Sequence, residues 1–186
     1  MTVKDLKDKI ECFESELLLE NRFFSVFKDT LAFEKNKSKY FYQKMKNEIT
    51  QTLGYTKNKE FILIKQFRYP VNKIILEVPG GDLTLGETLE EAARRELLEE
   101  SGYEGGKIVS LGKTAVNPSN CSSFINDFLI LDCEKTSDQK TSDPFEQTES
   151  LLVSLDELKE ILKLSKIDSS HSISIIMKSL FYLNLI

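Results

Sequence analysis

Cysteine and histidine are scarce in this chain of 186 residues. The three cysteines, Cys12, Cys121 and Cys133, form no C-x-x-C pair, so the sequence supports neither a disulfide framework nor a zinc site. Small, half-buried thiols in a reducing cytoplasm are expected instead. His171 is the single histidine, which excludes a histidine-rich metal site and leaves a Ser-His catalytic pair without support. Any metal chemistry must therefore use oxygen ligands.

Excess positive charge and long apolar segments are missing as well. Lys and Arg number 25 against 30 Asp and Glu, a formal net charge of -5, so no basic stripe is available for nucleic acid or an anionic membrane. No apolar run reaches the roughly 18 residues that a spanning helix needs. The charged segment 1–20 lacks the apolar stretch of a secretory signal. We expect a cytoplasmic protein that binds neither nucleic acid nor membranes.

Residues 1–56 are predicted to form a separate N-terminal layer. Within residues 3–20 the apolar side chains recur at spacings of three and four, which predicts an amphipathic helix built on Leu6, Ile10, Phe13 and Leu17. From Arg22 to Thr56, short runs rich in Phe, Tyr, Val, Ile and Thr alternate with polar turns and predict antiparallel strands.

Residues 57–186 are predicted to form a mixed α/β domain. The segment TLEEAARRELLEES, residues 88–101, favours a helix, and Gly102 follows as its C-terminal cap. The polar segment 134–149 predicts a surface loop before a last strand, and two helices close the chain from Asp156 and Ser169. Further strands are predicted at 61–67, 73–79, 107–116, 124–134 and 151–155.

The helix 88–101 carries carboxylates where apolar side chains belong. Because each helical residue turns by about 100°, Glu96 and Glu100 fall on the stripe that its leucines and alanines define, with Glu99 at the edge. Like charges at these spacings repel one another, and burial increases the cost. Arg95 can pair with Glu99, but the other two carboxylates lack an evident partner.

Mg²⁺ or Mn²⁺ would supply that partner, since both prefer oxygen ligands. Gly80 and Gly81 follow a predicted strand just before the helix, where glycine allows a close backbone approach and free carbonyls could complete a metal shell. The alternative from composition alone is an ordinary surface helix with a Glu/Arg salt-bridge network.

The spacing of segment 80–103 resembles the Nudix box. Gly81 is followed after five residues by Glu87 and after seven more by R-E-L-x-E-E-x-G-Y at residues 95–103. Tyr103 is aromatic where the pattern is usually aliphatic. The resemblance implies an α/β/α sandwich with a mixed sheet, and a pyrophosphohydrolase that cuts a nucleoside diphosphate linked to another group. It also implies Mg²⁺, or Mn²⁺, bound by Glu96, Glu99, Glu100 and the carbonyl of Gly80, with Glu87 and Arg95 bracing the box.

Flanking segments are similar to the ADP-ribose pyrophosphatase type. IKQFRYP at 64–70 and LEVPGG at 76–81 look like the strand pair of that group, and Pro118 lies 15 residues beyond Tyr103, where its members carry a proline. Arginine is scarce, and two of the four arginines belong to the box helix, so Arg68 is the best available bidentate phosphate ligand. The resemblance makes Glu77 a substrate contact. The alternatives are a solvated charge at Arg68, a structural carboxylate at Glu77 and an ordinary loop proline at Pro118.

The resemblance also implies an acidic residue in the loop before the last strand, acting as catalytic base or further metal ligand. Glu146 is the best-placed candidate, Glu149 is the second and Asp143 is also possible in register. Gln147 and Thr148 are polar where the group usually has apolar residues.

The N-terminal layer would, by the same resemblance, make the protein a homodimer. Four aromatic residues of that layer could stack on adenine or pack in the core, namely Phe23, Phe24, Tyr40 and Tyr42.

The function expected is Mg²⁺-dependent hydrolysis of ADP-ribose or a related nucleoside diphosphate sugar, giving a nucleoside monophosphate and a sugar phosphate. A GDP-mannose-type or broad sugar-nucleotide hydrolase is the nearest alternative. A non-catalytic nucleotide sensor is disfavoured because all box carboxylates are present. An RNA-decapping enzyme is disfavoured by the acidic charge.

Overall fold

The computed structural model describes residues 7–139 and 147–186. The chain divides into two compact units, a smaller one of Met1–Asn47 with Ala115–Ser123, and a larger one of Glu48–Thr114 with Phe124–Ile186. The division thus falls after residue 47, whereas the sequence analysis places it after 56. No helix within the described ranges is long and apolar enough to cross a membrane.

The smaller unit is a three-stranded antiparallel sheet in the order β1-β2-β3. It consists of β1 (Glu11–Glu20), β2 (Phe24–Phe33) and β3 (Asn36–Met45). Of its four aromatic candidates, Phe23 and Tyr40 are exposed, while Tyr42 stacks on Phe27 with ring centroids 5.5 Å apart. The Tyr40 hydroxyl donates to the Ser119 carbonyl.

The predicted N-terminal helix is wrong for residues 11–20, which form β1, and among the described residues only 7–9 of that segment are helical. An apolar residue recurring after four positions, such as Phe13 and Leu17, satisfies a period of two as well as a helical period. The ladder from Glu11↔Ala32 to Glu20↔Ser25 pairs the backbone of β1 with β2. That pairing outweighs the helix propensity of an exposed segment that has no core to cover.

The larger unit contains a mixed sheet. Its strands are β4 (Ile49–Thr56), β5 (Phe61–Arg68), β6 (Lys73–Glu77), β7 (Gly80–Asp82), β8 (Tyr103–Glu104), β9 (Ile108–Ala115), β10 (Phe124–Lys135) and β11 (Thr148–Val153). The strand order is β11-β5-β4-β10-β8, and in addition β6 pairs with β5, β7 with β4 and β9 with β10. Strand β10 runs parallel to β4, whereas β5 pairs antiparallel with β4, β6 and β11.

Helices cover both faces of this sheet. They are α1 (Leu89–Ser101), α2 (Leu155–Lys163) and α3 (Ser170–Tyr182). On one face Leu97 of α1 packs with Ile62 and Ile130. On the other face Leu158 and Ile175 belong to a larger buried cluster with sheet residues. The expected α/β/α arrangement is therefore observed.

The sheet splits where the site lies. Strands β4 and β5 pair only at Gly54↔Ile62 and Tyr55↔Phe61. Beyond these pairs β5 continues with β6, and β4 continues with β7. Two strand pairs therefore diverge, and the carboxylate-bearing helix α1 follows directly after one of them.

Candidate active site

Helix α1 is fixed at both ends by its local sequence. Thr88 caps its N-terminus in a capping box with Glu91, and Gly102 ends it with φ +78°, a left-handed conformation that glycine adopts without strain. The Thr52 hydroxyl of β4 donates to the Ala93 carbonyl at 3.1 Å, which ties the middle of the helix to the sheet. The carboxylates of its second half are therefore held in place.

Arg95 joins three carboxylates. Its guanidinium donates to Glu87 at 2.8 Å and to Glu96 at 2.8 Å, and it meets Glu99 at 3.1 Å. A further bond reaches the Asp82 carbonyl at 3.0 Å. The pair with Glu99 follows the predicted spacing, but the expectation that Glu96 lacks a cationic partner is wrong. The Arg95 guanidinium holds the pKa of Glu87 down to about 2, so this brace stays charged across the physiological range.

Glu100 is the most deeply buried carboxyl group of α1. Only 6% of the residue is exposed, and within the described part of the chain no Lys or Arg forms an ion pair with it. Its Oε2 accepts the backbone N–H of Gly80 at 2.8 Å. Burial is the main cause that raises the pKa of Glu100 to about 8, and the carboxylates of Glu96 and Glu77 add to it. The Gly80 N–H and the nearby Arg68 guanidinium act in the opposite direction. A divalent cation would offset this cost, so the donor chemistry fits Mg²⁺ or Mn²⁺.

The three box carboxylates do not form a finished metal shell. Glu99 turns toward Arg95 and keeps 43% of its side chain exposed, while Glu96 keeps 12%. Among the described residues, no group of three His, Cys, Asp or Glu side chains is close enough to hold a metal ion by itself. Backbone oxygens or further groups are needed to complete coordination at Glu96 and Glu100.

The two glycines after β6 leave room for these carboxylates. A Cβ at Gly80 would lie 2.5 Å from the Thr50 carbonyl oxygen, and a Cβ at Gly81 would lie 2.3 Å from Glu96 Oε1. Both distances are far inside van der Waals contact. The neighbouring strand backbone therefore requires glycine at 80, whereas a larger residue at 81 would displace the Glu96 carboxylate.

We expect Gly81→Ala to reduce kcat by about 100-fold, because the new methyl group displaces the Glu96 carboxylate and small misplacements of catalytic groups are costly. The measurement is steady-state hydrolysis together with the unfolding temperature. Gly106→Ala is the matched control, since a Cβ there meets nothing within 4 Å. Equal turnover of the two variants would contradict the role of Gly81.

Arg68 and Glu77 lie together on neighbouring strands. Arg68 Nε donates to Glu77 Oε1 at 2.7 Å, and the side chains are 43% and 10% exposed. Both residues line a cavity of about 120 Å³ that also reaches Gly80. The structure thus brings the two sequence-predicted substrate residues next to the glycine that bonds Glu100.

The remaining predicted residues are more scattered. Pro118 is exposed in the smaller unit. Glu149 lies on β11 and pairs with Lys65 at 2.9 Å. Asp143 and Glu146 lie outside the described residues.

The Glu100 carbonyl receives hydrogen bonds from both sides of the undescribed segment. The Gln139 side chain donates to it at 3.0 Å, and the Thr148 hydroxyl donates at 2.7 Å. In the sequence, Glu146 precedes Thr148, which bonds the Glu100 carbonyl, by two residues.

Two residues near the cavity were not predicted from the sequence to belong to the site. His171 lines the cavity at the start of α3. Asp127 of β10 is fully buried and accepts from Gln51 at 2.7 Å and from Thr114 at 2.6 Å. Lys178 of α3 pairs with it. No local pattern signals either group, because both depend on contacts between segments far apart in sequence.

Comparison with known proteins identifies a family and several relatives of this chain. A family model described as NUDIX domain matches residues 53–172. The chain is 30% identical over 111 residues to the ADP-ribose pyrophosphatase of Bacillus subtilis, covering 60% of each protein. It is 30% identical over 146 residues to the GDP-mannose pyrophosphatase of Yersinia enterocolitica, covering 73% of this chain and 74% of that protein.

A solved structure shows the same fold. The crystal structure of an ADP compounds hydrolase matches with a TM-score of 0.78 at 23% identity, covering 95% of both chains. The chain spans 53% to 65% of the length of three curated relatives that it matches, the Bacillus protein among them. With more than half of its residues matched by the family model, and with the box carboxylates gathered on α1, this chain belongs to the NUDIX domain family.

Proposed function

We propose that this protein is a Mg²⁺-dependent pyrophosphohydrolase that cleaves ADP-ribose or a related nucleoside diphosphate sugar. The products would be a nucleoside monophosphate and a sugar phosphate. The observation that carries the proposal is the buried Glu100 carboxylate, held against the Gly80 N–H beside Glu96 with no cation paired to it in the described structure. The Bacillus relative named ADP-ribose pyrophosphatase supports the substrate class.

In this proposal Glu96, Glu99, Glu100 and the carbonyl of Gly80 hold the metal, with Mn²⁺ as a possible substitute. When bound, the metal would neutralise diphosphate charge and lower the pKa of an attacking water. Arg95 holds Glu96 and Glu99 through its planar guanidinium, so the carboxylates keep their direction.

Arg68 would bind phosphate oxygens, and its ion pair with Glu77 fixes the direction of the guanidinium. Glu77 would then contact the substrate beside it. Pro118 stays a proposed substrate-side residue on the strength of its spacing from the box alone.

We propose Glu146 as the general base or further metal ligand. The two anchors on the Glu100 carbonyl support this, because Gln139 and Thr148, which lie on either side of Glu146 in the sequence, both bond the last turn of α1. We expect Glu146→Ala to lower kcat by about 100-fold or more. Glu149→Ala is the control, since Glu149 already pairs with Lys65 on the sheet, and Asp143→Ala completes the series. Measured kcat values with the largest loss at Glu149 or Asp143 would reassign the base.

A second candidate function is hydrolysis of GDP-mannose or of several sugar nucleotides. The relative from Yersinia enterocolitica supports it, because it is named GDP-mannose pyrophosphatase and aligns over 73% of this chain. The chemistry at Glu96 and Glu100 would be the same, and only the base and the sugar would differ.

The deciding experiment is a hydrolysis panel with Mg²⁺ that compares kcat/KM for ADP-ribose, ADP-glucose, UDP-glucose, GDP-mannose, NADH and diadenosine polyphosphates. A strong preference for ADP-ribose supports the first proposal. Preference for GDP-mannose, or a flat profile, supports the second. Tight binding of nucleotides without any turnover would contradict both and point to a sensor.

We also propose that the smaller unit mediates a homodimer in the cytoplasm. Strand β1 leaves Phe13, Leu17 and Leu19 between 49% and 59% exposed, which is unfavourable unless another surface covers them. The free thiols of Cys12, Cys121 and Cys133 agree with a reducing compartment. Sedimentation equilibrium of the wild type and of a Phe13→Ser, Leu17→Ser double variant tests the dimer, and a monomeric wild type would contradict it.

A further inference from the structure

The cavity beside Arg68 and Glu77 has a second wall, built from the start of α3. Its volume is about 120 Å³, below the roughly 300–1,000 Å³ of sites that enclose a whole drug-sized ligand. It therefore has room for a ring-sized part of a substrate. The residues of the second wall are Ser169, His171 and Ser172.

His171 is the side chain of this wall with free hydrogen-bonding capacity. Neither ring nitrogen has a hydrogen-bond partner among the residues that the structure describes. Burial lowers the pKa of His171 below its usual value, against the carboxylates of Asp127 and Glu77, which raise it. The neutral ring offers one donor and one acceptor, a combination that matches a hydroxyl group.

The backbone of His171 is held by a hydrogen bond to its carbonyl, which restricts where the imidazole ring can lie. The Gln51 side chain donates to the His171 carbonyl at 3.1 Å. The same amide donates to the buried Asp127 at 2.7 Å. Asp127 in turn pairs with Lys178, about two helical turns after His171 on α3. These contacts between β4, β10 and α3 fix the position of the N-terminus of α3.

The cavity lining also contains uncharged polar groups beside the apolar side chains of Ile49, Val78 and Ile125. The Ser169 hydroxyl accepts from the Ser172 N–H at 3.3 Å and from the Ser172 hydroxyl at 3.1 Å. Thr50 also lines the cavity, and its fully buried hydroxyl has no partner within the described structure.

We propose that this cavity receives one sugar ring of the substrate, and that His171 binds the ring hydroxyls as a specificity-determining residue. The proposal rests on the proposed function, because it places the sugar next to the Arg68 that would bind phosphate. A sugar nucleotide carries two such rings, the ribose of the nucleoside and the terminal sugar. The chemistry of recognition is shared, and experiment separates the two sources.

The first measurement compares wild type, His171→Ala and His171→Asn with Ser170→Ala. Ser170 is the exposed neighbour on α3 and does not line the cavity, so its variant should behave as wild type. For the preferred substrate we expect His171→Ala to raise KM about fivefold and to change kcat by less than about twofold. His171→Asn should recover part of the loss, because its amide also donates and accepts.

The second measurement is binding of ribose 5-phosphate and of AMP by calorimetry, which does not depend on turnover. Weaker ribose 5-phosphate binding in His171→Ala, with AMP unchanged, assigns the terminal sugar. Weaker AMP binding in His171→Ala, with ribose 5-phosphate binding unchanged, assigns the nucleoside ribose. If both bind as to wild type and KM is unchanged, the proposal is overturned. A wild type that binds both but hydrolyses nothing would instead overturn the proposed function. Thermal unfolding checks the variants, and His171→Asn carries the test if His171→Ala is unstable.

Discussion

Glu100→Gln is expected to lower kcat by about 1,000-fold or more while leaving the fold intact. The substitution keeps the shape of the side chain and its capacity to accept the Gly80 N–H, but it removes the negative charge that the metal requires. In the absence of metal the amide replaces a group that is mostly protonated at neutral pH, because burial raises the pKa of Glu100 to about 8. In the absence of metal the variant should therefore unfold at the same temperature as wild type or higher.

The measurement combines turnover with Mg²⁺-dependent stabilisation. Wild type should gain unfolding temperature as Mg²⁺ is added, because a ligand that binds only the folded state stabilises it. Glu100→Gln should gain much less. Glu90→Gln is the matched control, an exposed carboxylate in the first turn of the same helix, and it should keep both responses. Full activity of Glu100→Gln would exclude Glu100 as a metal ligand.

Arg95→Ala is expected to reduce both stability and activity. Arg95 pairs with Glu87, Glu96 and Glu99, and the first two carboxylates are only 13% and 12% exposed. Removing the shared cation leaves them uncompensated, so we expect a loss of about 2–4 kcal/mol in the free energy of unfolding. Glu96 also loses its fixed direction, so kcat should fall by about 100-fold. Lysine should rescue little, since one ammonium cannot reproduce a planar fork.

The loss of unfolding free energy in Arg95→Ala should become smaller at acidic pH. The pKa of Glu87 is lowered from 4.5 to about 2 in the folded protein. The stabilisation is therefore fully present above pH 4.5 and is lost as the pH falls toward 2. Urea unfolding of wild type and Arg95→Ala should converge over that range. Arg94→Ala is the neighbouring control, because Arg94 donates to the Gly105 and Gly106 carbonyls and should affect stability alone. A stability gap unchanged at pH 2.5 would contradict the assignment to Glu87.

Local patterns predicted most of the larger unit. Gly102 ends α1 as expected, and Thr88, predicted as the first helical residue, is its N-cap. Short apolar runs located β5, β6, β9 and β10. The helical period placed Glu100 on the buried stripe, which its burial confirms. These features were predictable because each depends on residues within a few positions of one another.

What could not be predicted depends on distant partners. The N-terminal segment became a strand because β2 was available to pair with it. Arg95 reached Glu96 as well as Glu99, since its orientation is set by Glu87 and the Asp82 carbonyl. His171 came to the cavity because Gln51, in a strand 120 residues earlier, holds its carbonyl. Spacing within a short window carries no signal for any of these contacts.

The parallel pairing of β4 with β10 has a consequence for folding during synthesis. Ile49 pairs with Ile125 and Thr56 with Cys133, so the central strands of the sheet meet in full only after residue 133 has left the ribosome. Contacts of such long sequence separation form slowly, since a large loop must close first. Until then the sheet is incomplete, and apolar side chains such as Leu97 of α1 and Leu53 of β4 remain exposed to solvent. We therefore expect a nascent chain to acquire activity late, after α3 has emerged, and to benefit from chaperones before that point.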